Sequence, residues 1–73
     1  MDTLLGMRLF AAIVSTGSFT AAASRLGMSK ALASKYLNQL EQRLGVRLLQ
    51  RTTRHLSLTD VGQIYYTRCQ SLL

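Results

Sequence analysis

The side chains able to make or break bonds are few in this sequence, and they are scattered. Its carboxylates are Asp2, Glu41 and Asp60, and its soft metal ligands are His55 and Cys69. General acid and base work requires titratable groups within hydrogen-bond reach of the reacting proton, and a zinc site needs about four ligands. Neither arrangement assembles from these residues, because His55 and Cys69 fall on separate segments and the carboxylates lie far apart. No glycine-rich phosphate loop is present. The expectation is a protein that is not an enzyme, with no catalytic residues, no metal and no cofactor.

The cations and hydroxyls are patterned instead. Ser29, Lys30, Ala31, Ser34, Lys35 and Asn38 fall within one short stretch, and Arg51, Thr52, Thr53 and Arg54 form a second set. Lys and Arg suit a phosphate or a guanine edge, while Ser, Thr and Asn both donate and accept. The short side chain of Ala31 allows a helix backbone to approach a surface closely. The whole chain carries nine Lys and Arg against three acids, a formal charge of +6. Such a balance points to nucleic acid or an anionic membrane. The cations are dispersed, unlike the run of a disordered basic tail. Arg8, Arg43 and Arg68 read as solubilising surface, Arg25 and Arg47 fit either reading, and Ser29 is first of all a helix cap.

The elements that must position these groups are punctuated by glycine. Residues 3–16 carry Leu4, Met7, Phe10, Ala11 and Val14 at steps of three and four, the mark of an amphipathic helix ended by Gly17. Ser18 or Thr20 caps a short alanine-rich helix ending at Leu26. Gly27 permits a tight turn, and Ser29 opens a third helix that Gly45 stops. The core stripe of that helix is Ala33, Leu37, Leu40 and Leu44, with Ala31, Ser34, Lys35 and Asn38 on a roughly opposite arc. Over residues 46–58 the period changes to alternation around Arg51-Thr52-Thr53-Arg54, which predicts two short strands and a basic turn. Thr59 and Asp60 open a fourth helix with an apolar stripe of Val61, Tyr65, Cys69 and Leu72, read as a dimerisation face. Tyr65 and Tyr66 are assigned to helix pairing rather than to stacking on bases. Phe10, Val14, Phe19 and Leu40 are assigned to the core, and Glu41 to orienting a cation or a backbone group.

The 73 residues suffice for one small domain. It would bury only about 60% of the surface its unfolded chain exposes, so stability from a partner is expected. The expected fold is mainly α with a small β-hairpin: a winged helix-turn-helix of three helices, a two-stranded wing and the start of a linker helix. Residues 1–58 would form the domain and 59–73 the first part of a longer dimerising helix. Two helices meeting at a tight turn, the second basic outward, make a helix-turn-helix. Its second helix, about 30–44, fits the major groove of B-DNA, which is about 12 Å wide. The hairpin would reach the minor groove or the backbone with Arg51 and Arg54, and phosphate oxygens with Thr52 and Thr53.

With these residues in place, the sequence resembles the N-terminal domain of the LysR-type transcriptional regulators. The matching residues are Phe10 with Val14, then Gly17-Ser18-Phe19-Thr20-Ala21-Ala22-Ala23 with Leu26, then Met28-Ser29. Ser34-Lys35, Leu37, Leu40-Glu41 and Leu44-Gly45-Val46 with Leu48 follow, then Arg51-Thr52-Thr53-Arg54, Leu58-Thr59 and Gly62. The ordered set spans nearly the whole chain. The resemblance implies a bacterial cytoplasmic regulator binding double-stranded DNA at an interrupted palindromic operator. It implies a homodimer or dimer of dimers, and a C-terminal domain that binds a small-molecule effector. It implies DNA contact at positions 29, 30, 31, 34 and 35 and at the wing arginines. Lys30 stands where the family often has glutamine and Ala31 where it often has proline or serine. Lys35 replaces a frequent arginine and its bidentate fork, and Leu32 is larger than the usual alanine. The operator sequence is therefore not carried over.

Three other readings are distinguishable. The winged-helix domain of molybdate-responsive regulators would differ in the sequence that follows. A winged-helix module that binds protein would lose the basic face that Lys30, Ser34 and Lys35 form. A basic amphipathic membrane binder is disfavoured by glycine breaks and short helices, and no apolar stretch approaches the ~20 residues of a membrane span.

Overall fold

The computed structural model describes residues 3–51 and 56–73, with six elements in order. They are α1 (Thr3–Thr16), α2 (Phe19–Leu26), α3 (Lys30–Leu44), β1 (Leu49–Arg51), β2 (Leu56–Leu58) and α4 (Asp60–Leu72). This is the mainly helical architecture with one hairpin that the sequence predicts.

Each boundary has a local cause. The Ser18, Ser29 and Thr59 hydroxyls accept from the amides of Ala21, Leu32 and Gly62, satisfying donors left over at the starts of α2, α3 and α4. Ser18, not Thr20, is thus the cap of α2. Gly27 takes the left-handed conformation at φ 71° and closes α2 with Gly27 N donating to Ser24 O and Met28 N to Ala23 O. That geometry turns the chain into α3 within three residues. Gly45 repeats it at the end of α3.

The core lies where α1, α2, α3 and α4 converge. Leu9, Phe10 and Ile13 of α1 are fully buried with Ala22, Ala33, Leu37 and Cys69. Small residues at Ala22, Ala23 and Ala33 let α2 and α3 approach closely. Two expectations are corrected. The buried face of α1 centres on Leu9, Phe10 and Ile13, about a third of a turn from the Leu4-to-Val14 stripe at ~100° per residue. Leu4 itself is 45% exposed, while Met7 and Val14 only flank the core. In α3, Leu44 continues the Ala33–Leu37–Leu40 arc but overruns the core and is 42% exposed.

The two strands pair antiparallel with Leu49 opposite Leu58, Gln50 opposite Ser57 and Arg51 opposite Leu56. Alternation then points Leu49, Leu56 and Leu58 inward, and Gln50 and Ser57 outward. A polar link ties the hairpin to α3: the buried Glu41 carboxylate accepts from the amides of Leu48 at 2.7 Å and Leu49 at 3.2 Å. Glu41 therefore orients backbone, as its position predicts. From the other side, Thr59 N donates to Leu48 O at 3.0 Å. The Thr59 hydroxyl donates to Arg47 O at 2.6 Å.

Candidate nucleic-acid interface

The residues singled out on the third helix fall on one open surface. Ala31, Lys35 and Asn38 of α3 are exposed, while Ala33, Leu37 and Leu40 are buried behind them. At ~100° per residue the three exposed positions lie within about 60°, opposite the buried set. Lys30 is exposed at the first turn, and Ser29 caps the helix at its exposed N-terminus. Ser34 is half-buried at the edge of the face rather than at its centre. Leu32 is half-buried as well.

The free amides and aligned dipole of the α3 N-terminus add positive potential next to Lys30. α3 holds one carboxylate, Glu41, and that group is turned inward to the Leu48 and Leu49 amides. The open face is thus cationic and short-chained, and its neighbour α2 is fixed against it by the Gly27 turn.

Sequence reasoning missed one further group and left a second undecided. Gln42 lies one turn beyond Asn38 on the same arc and is exposed, and Arg47 is exposed nearby. Together with Asn38 and Glu41 they line an open cleft between the end of α3 and the loop that follows it. The signal for Gln42 was its four-residue step from Asn38. Arg47, left open between surface and contact, follows the helix in a loop whose direction periodicity does not fix.

Arg51 is the last residue of β1. Thr52, Thr53 and Arg54 lie outside the described residues. Arg25 donates to the Ser15 hydroxyl at 3.3 Å and Arg43 to the Thr3 hydroxyl at 3.2 Å, so both contribute to links between helices.

The fourth helix divides its expected stripe between two surroundings. Val61, Tyr65, Cys69 and Leu72 do not form one outward face. Cys69 is fully buried in this chain's own core. Tyr65 and Tyr66 pack on Phe10 with ring centroids at 5.6 Å and 6.3 Å, the second edge-on. Val61 and Leu72 do point outward, joined by Ile64, which is 61% exposed. The sequence stripe ran diagonally between two faces, one serving the core and one left open.

A helix-turn-helix with an outward cationic second helix, followed by an antiparallel hairpin and a fourth helix on the first, defines a winged helix-turn-helix protein. The chain belongs to the lysR family of bacterial regulatory helix-turn-helix proteins, whose family model matches residues 4–63. This separates it from the molybdate-responsive alternative. An HTH-type transcriptional repressor of Pseudomonas aeruginosa is 53% identical over 73 residues, covering 100% of this chain and 23% of the relative. The HTH-type transcriptional activator AaeR of Escherichia coli is 47% identical over 73 residues, covering 100% of this chain and 24% of its own. The chain thus spans about a quarter of the length of these curated relatives. Among solved structures, the BenM DNA-binding domain in complex with benA site 1 DNA superposes with a TM-score of 0.91 at 35% identity. That match covers 99% of this chain and 80% of the BenM domain. The CbnR DNA-binding domain in its DNA complex gives 0.89 at 30% identity, covering 99% and 82%. The family and these relatives are transcription regulators. No helix among the described residues is long and apolar enough to cross a membrane.

Proposed function

We propose that this chain reads double-stranded DNA in a sequence-specific way, with α3 in the major groove and the hairpin as a wing on the minor groove or backbone. The observation that carries this reading is the open arc of Ala31, Lys35 and Asn38 set against the buried Ala33, Leu37 and Leu40. A helix so mounted projects short and cationic groups while its own core side anchors it. Ser29, Lys30, Ala31, Ser34, Lys35 and Asn38 form the reading face, joined by Gln42 and Arg47 at its far end. Arg51, Thr52, Thr53 and Arg54 act from the wing. Support comes from the two superposed DNA-binding domains, both solved with DNA.

The regulator is a homodimer or dimer of dimers in the cytoplasm. Residues 1–58 form its DNA-reading unit, residues 59–73 belong to the helix that pairs the copies, and an effector-binding domain follows. The length of the relatives supports this organisation. The pairing face of α4 is Val61, Ile64 and Leu72, in place of the Tyr65 and Cys69 face. Selection of bound duplexes from a random pool tests the reading and yields half-site and spacing together. On the selected site, Lys35→Ala lowers affinity by about tenfold. A variant that binds as tightly as the parent removes α3 as the reading helix.

A further inference from the structure

Leu48 is the point at which three elements meet. Its side chain is fully buried, its amide donates to the Glu41 carboxylate of α3, and its carbonyl accepts from the Thr59 amide at the head of α4. Glu41 spans seven residues to make that contact and takes the next amide, Leu49, on the same oxygen. Leu49 begins β1, so the carboxylate holds the first peptide of the wing directly. Glu41 is 9% exposed, and a carboxylate is costly to bury unless it is hydrogen-bonded. Among the described residues no buried side-chain nitrogen or oxygen lacks a partner.

The geometry points to Glu41 as a positioning residue for DNA recognition, one that fixes the angle between the recognition helix and the wing. This rests on the duplex-reading function proposed above and names a residue that touches no DNA. Glu41 lines the same cleft as Asn38 and Gln42, but its Oε2 is taken by the Leu48 and Leu49 amides, so it acts on binding through the backbone it holds. Charge-assisted bonds to two successive amides resist rotation of the hairpin about its base, which one neutral bond does not. A helix and a wing held as one body reach two grooves without ordering the wing at the moment of binding.

Three backgrounds test the inference on the selected duplex: the parent, Glu41→Gln, which keeps side-chain shape and one acceptor oxygen, and Glu41→Ala. Into each, Arg54→Ala and Lys35→Ala are introduced separately, and thermal melts are recorded beside the affinities. In the parent each substitution is expected to weaken binding about tenfold. In the Glu41 backgrounds Lys35→Ala keeps its factor, whereas Arg54→Ala falls to about twofold or less, because the wing no longer sits where Arg54 can act. Glu41→Gln lies between the parent and Glu41→Ala, and it carries the test if Glu41→Ala does not fold. An Arg54→Ala factor that is equal in all backgrounds overturns the inference, whatever the melts show. So does an Arg54→Ala without effect in the parent, although a normal Lys35→Ala result then leaves the duplex reading standing. A Lys35→Ala that binds like the parent removes the reading itself and this inference with it.

Discussion

Gly62 shows how tightly the base of the wing is built. A Cβ there would fall on the Leu48 carbonyl, 2.9 Å from its carbon, and backbone cannot swing aside as a flexible side chain can. Gly62→Ala is therefore expected to destabilise the fold by about 1–3 kcal/mol, read from urea unfolding. An unchanged midpoint would mean that α4 is free to lift from Leu48. Cys69 makes a different prediction, through pH. Burial pushes its thiol up, and burial followed by the nearby Cys69 charge pushes the Tyr65 hydroxyl up as well. Both groups hold their proton more tightly folded than unfolded. Each contribution is complete below that group's ordinary value and is lost as pH rises from there through the raised folded value, because the unfolded chain then ionises first. Urea midpoints should hold level up to about pH 8 and decline above about pH 8.5, and Cys69→Ala should flatten that decline. A parent whose midpoint does not move would contradict the burial of the thiol.

At the scale of the elements, helix α3 makes the sharpest separation of stability from function. Ala31 is exposed and contributes nothing to the core, so Ala31→Leu should leave the melting temperature within about a degree or two. The same change puts a bulky side chain at the centre of the face meant for the groove. Binding to the selected duplex should fall at least about tenfold, as measured by fluorescence anisotropy. Intact binding would place some other face of α3 against DNA. That face was legible because α3 alternates clearly between small or polar residues and leucines. Helix α1 was not, since it is apolar nearly all round: Leu4, Leu5, Met7, Leu9, Phe10, Ile13 and Val14 offer several overlapping stripes. Periodicity then identifies the helix but not its rotation, which α2, α3 and α4 settle by packing on Leu9, Phe10 and Ile13. The same limit left the inward packing of Tyr65 and Cys69 unread. A stripe on α4 tells how a helix is wetted but not which neighbour covers it. Leu44 failed for a third reason, in that an arc continues along the helix after the core beneath it has ended.

Across the whole molecule, the open stripe of α4 bears on how two copies meet. Val61, Ile64 and Leu72 are 45%, 61% and 73% exposed, with Arg68 between the last two on the same side. Three apolar side chains per copy fall well short of the ~800 Å² per partner of a standard stable interface. The 73-residue chain should therefore sediment as a monomer at micromolar concentration. In the proposed dimer, whose full chain would be about four times this length if it matches the relatives, operator affinity comes from pairing through more than these 73 residues. In such a dimer two copies of α3 sit about 34 Å or a multiple apart, on one face of the duplex. Inserting about five base pairs between the half-sites turns one of them to the opposite face, and about ten restore it. Affinity of the dimer should collapse with the first insertion and largely recover with the second. Ile64→Glu should weaken pairing without lowering the melting temperature, since the side chain is outside the core. A tight dimer of the 73-residue chain would show the area argument to be wrong. Insensitivity to both insertions would mean that the two reading helices are not held at a fixed separation.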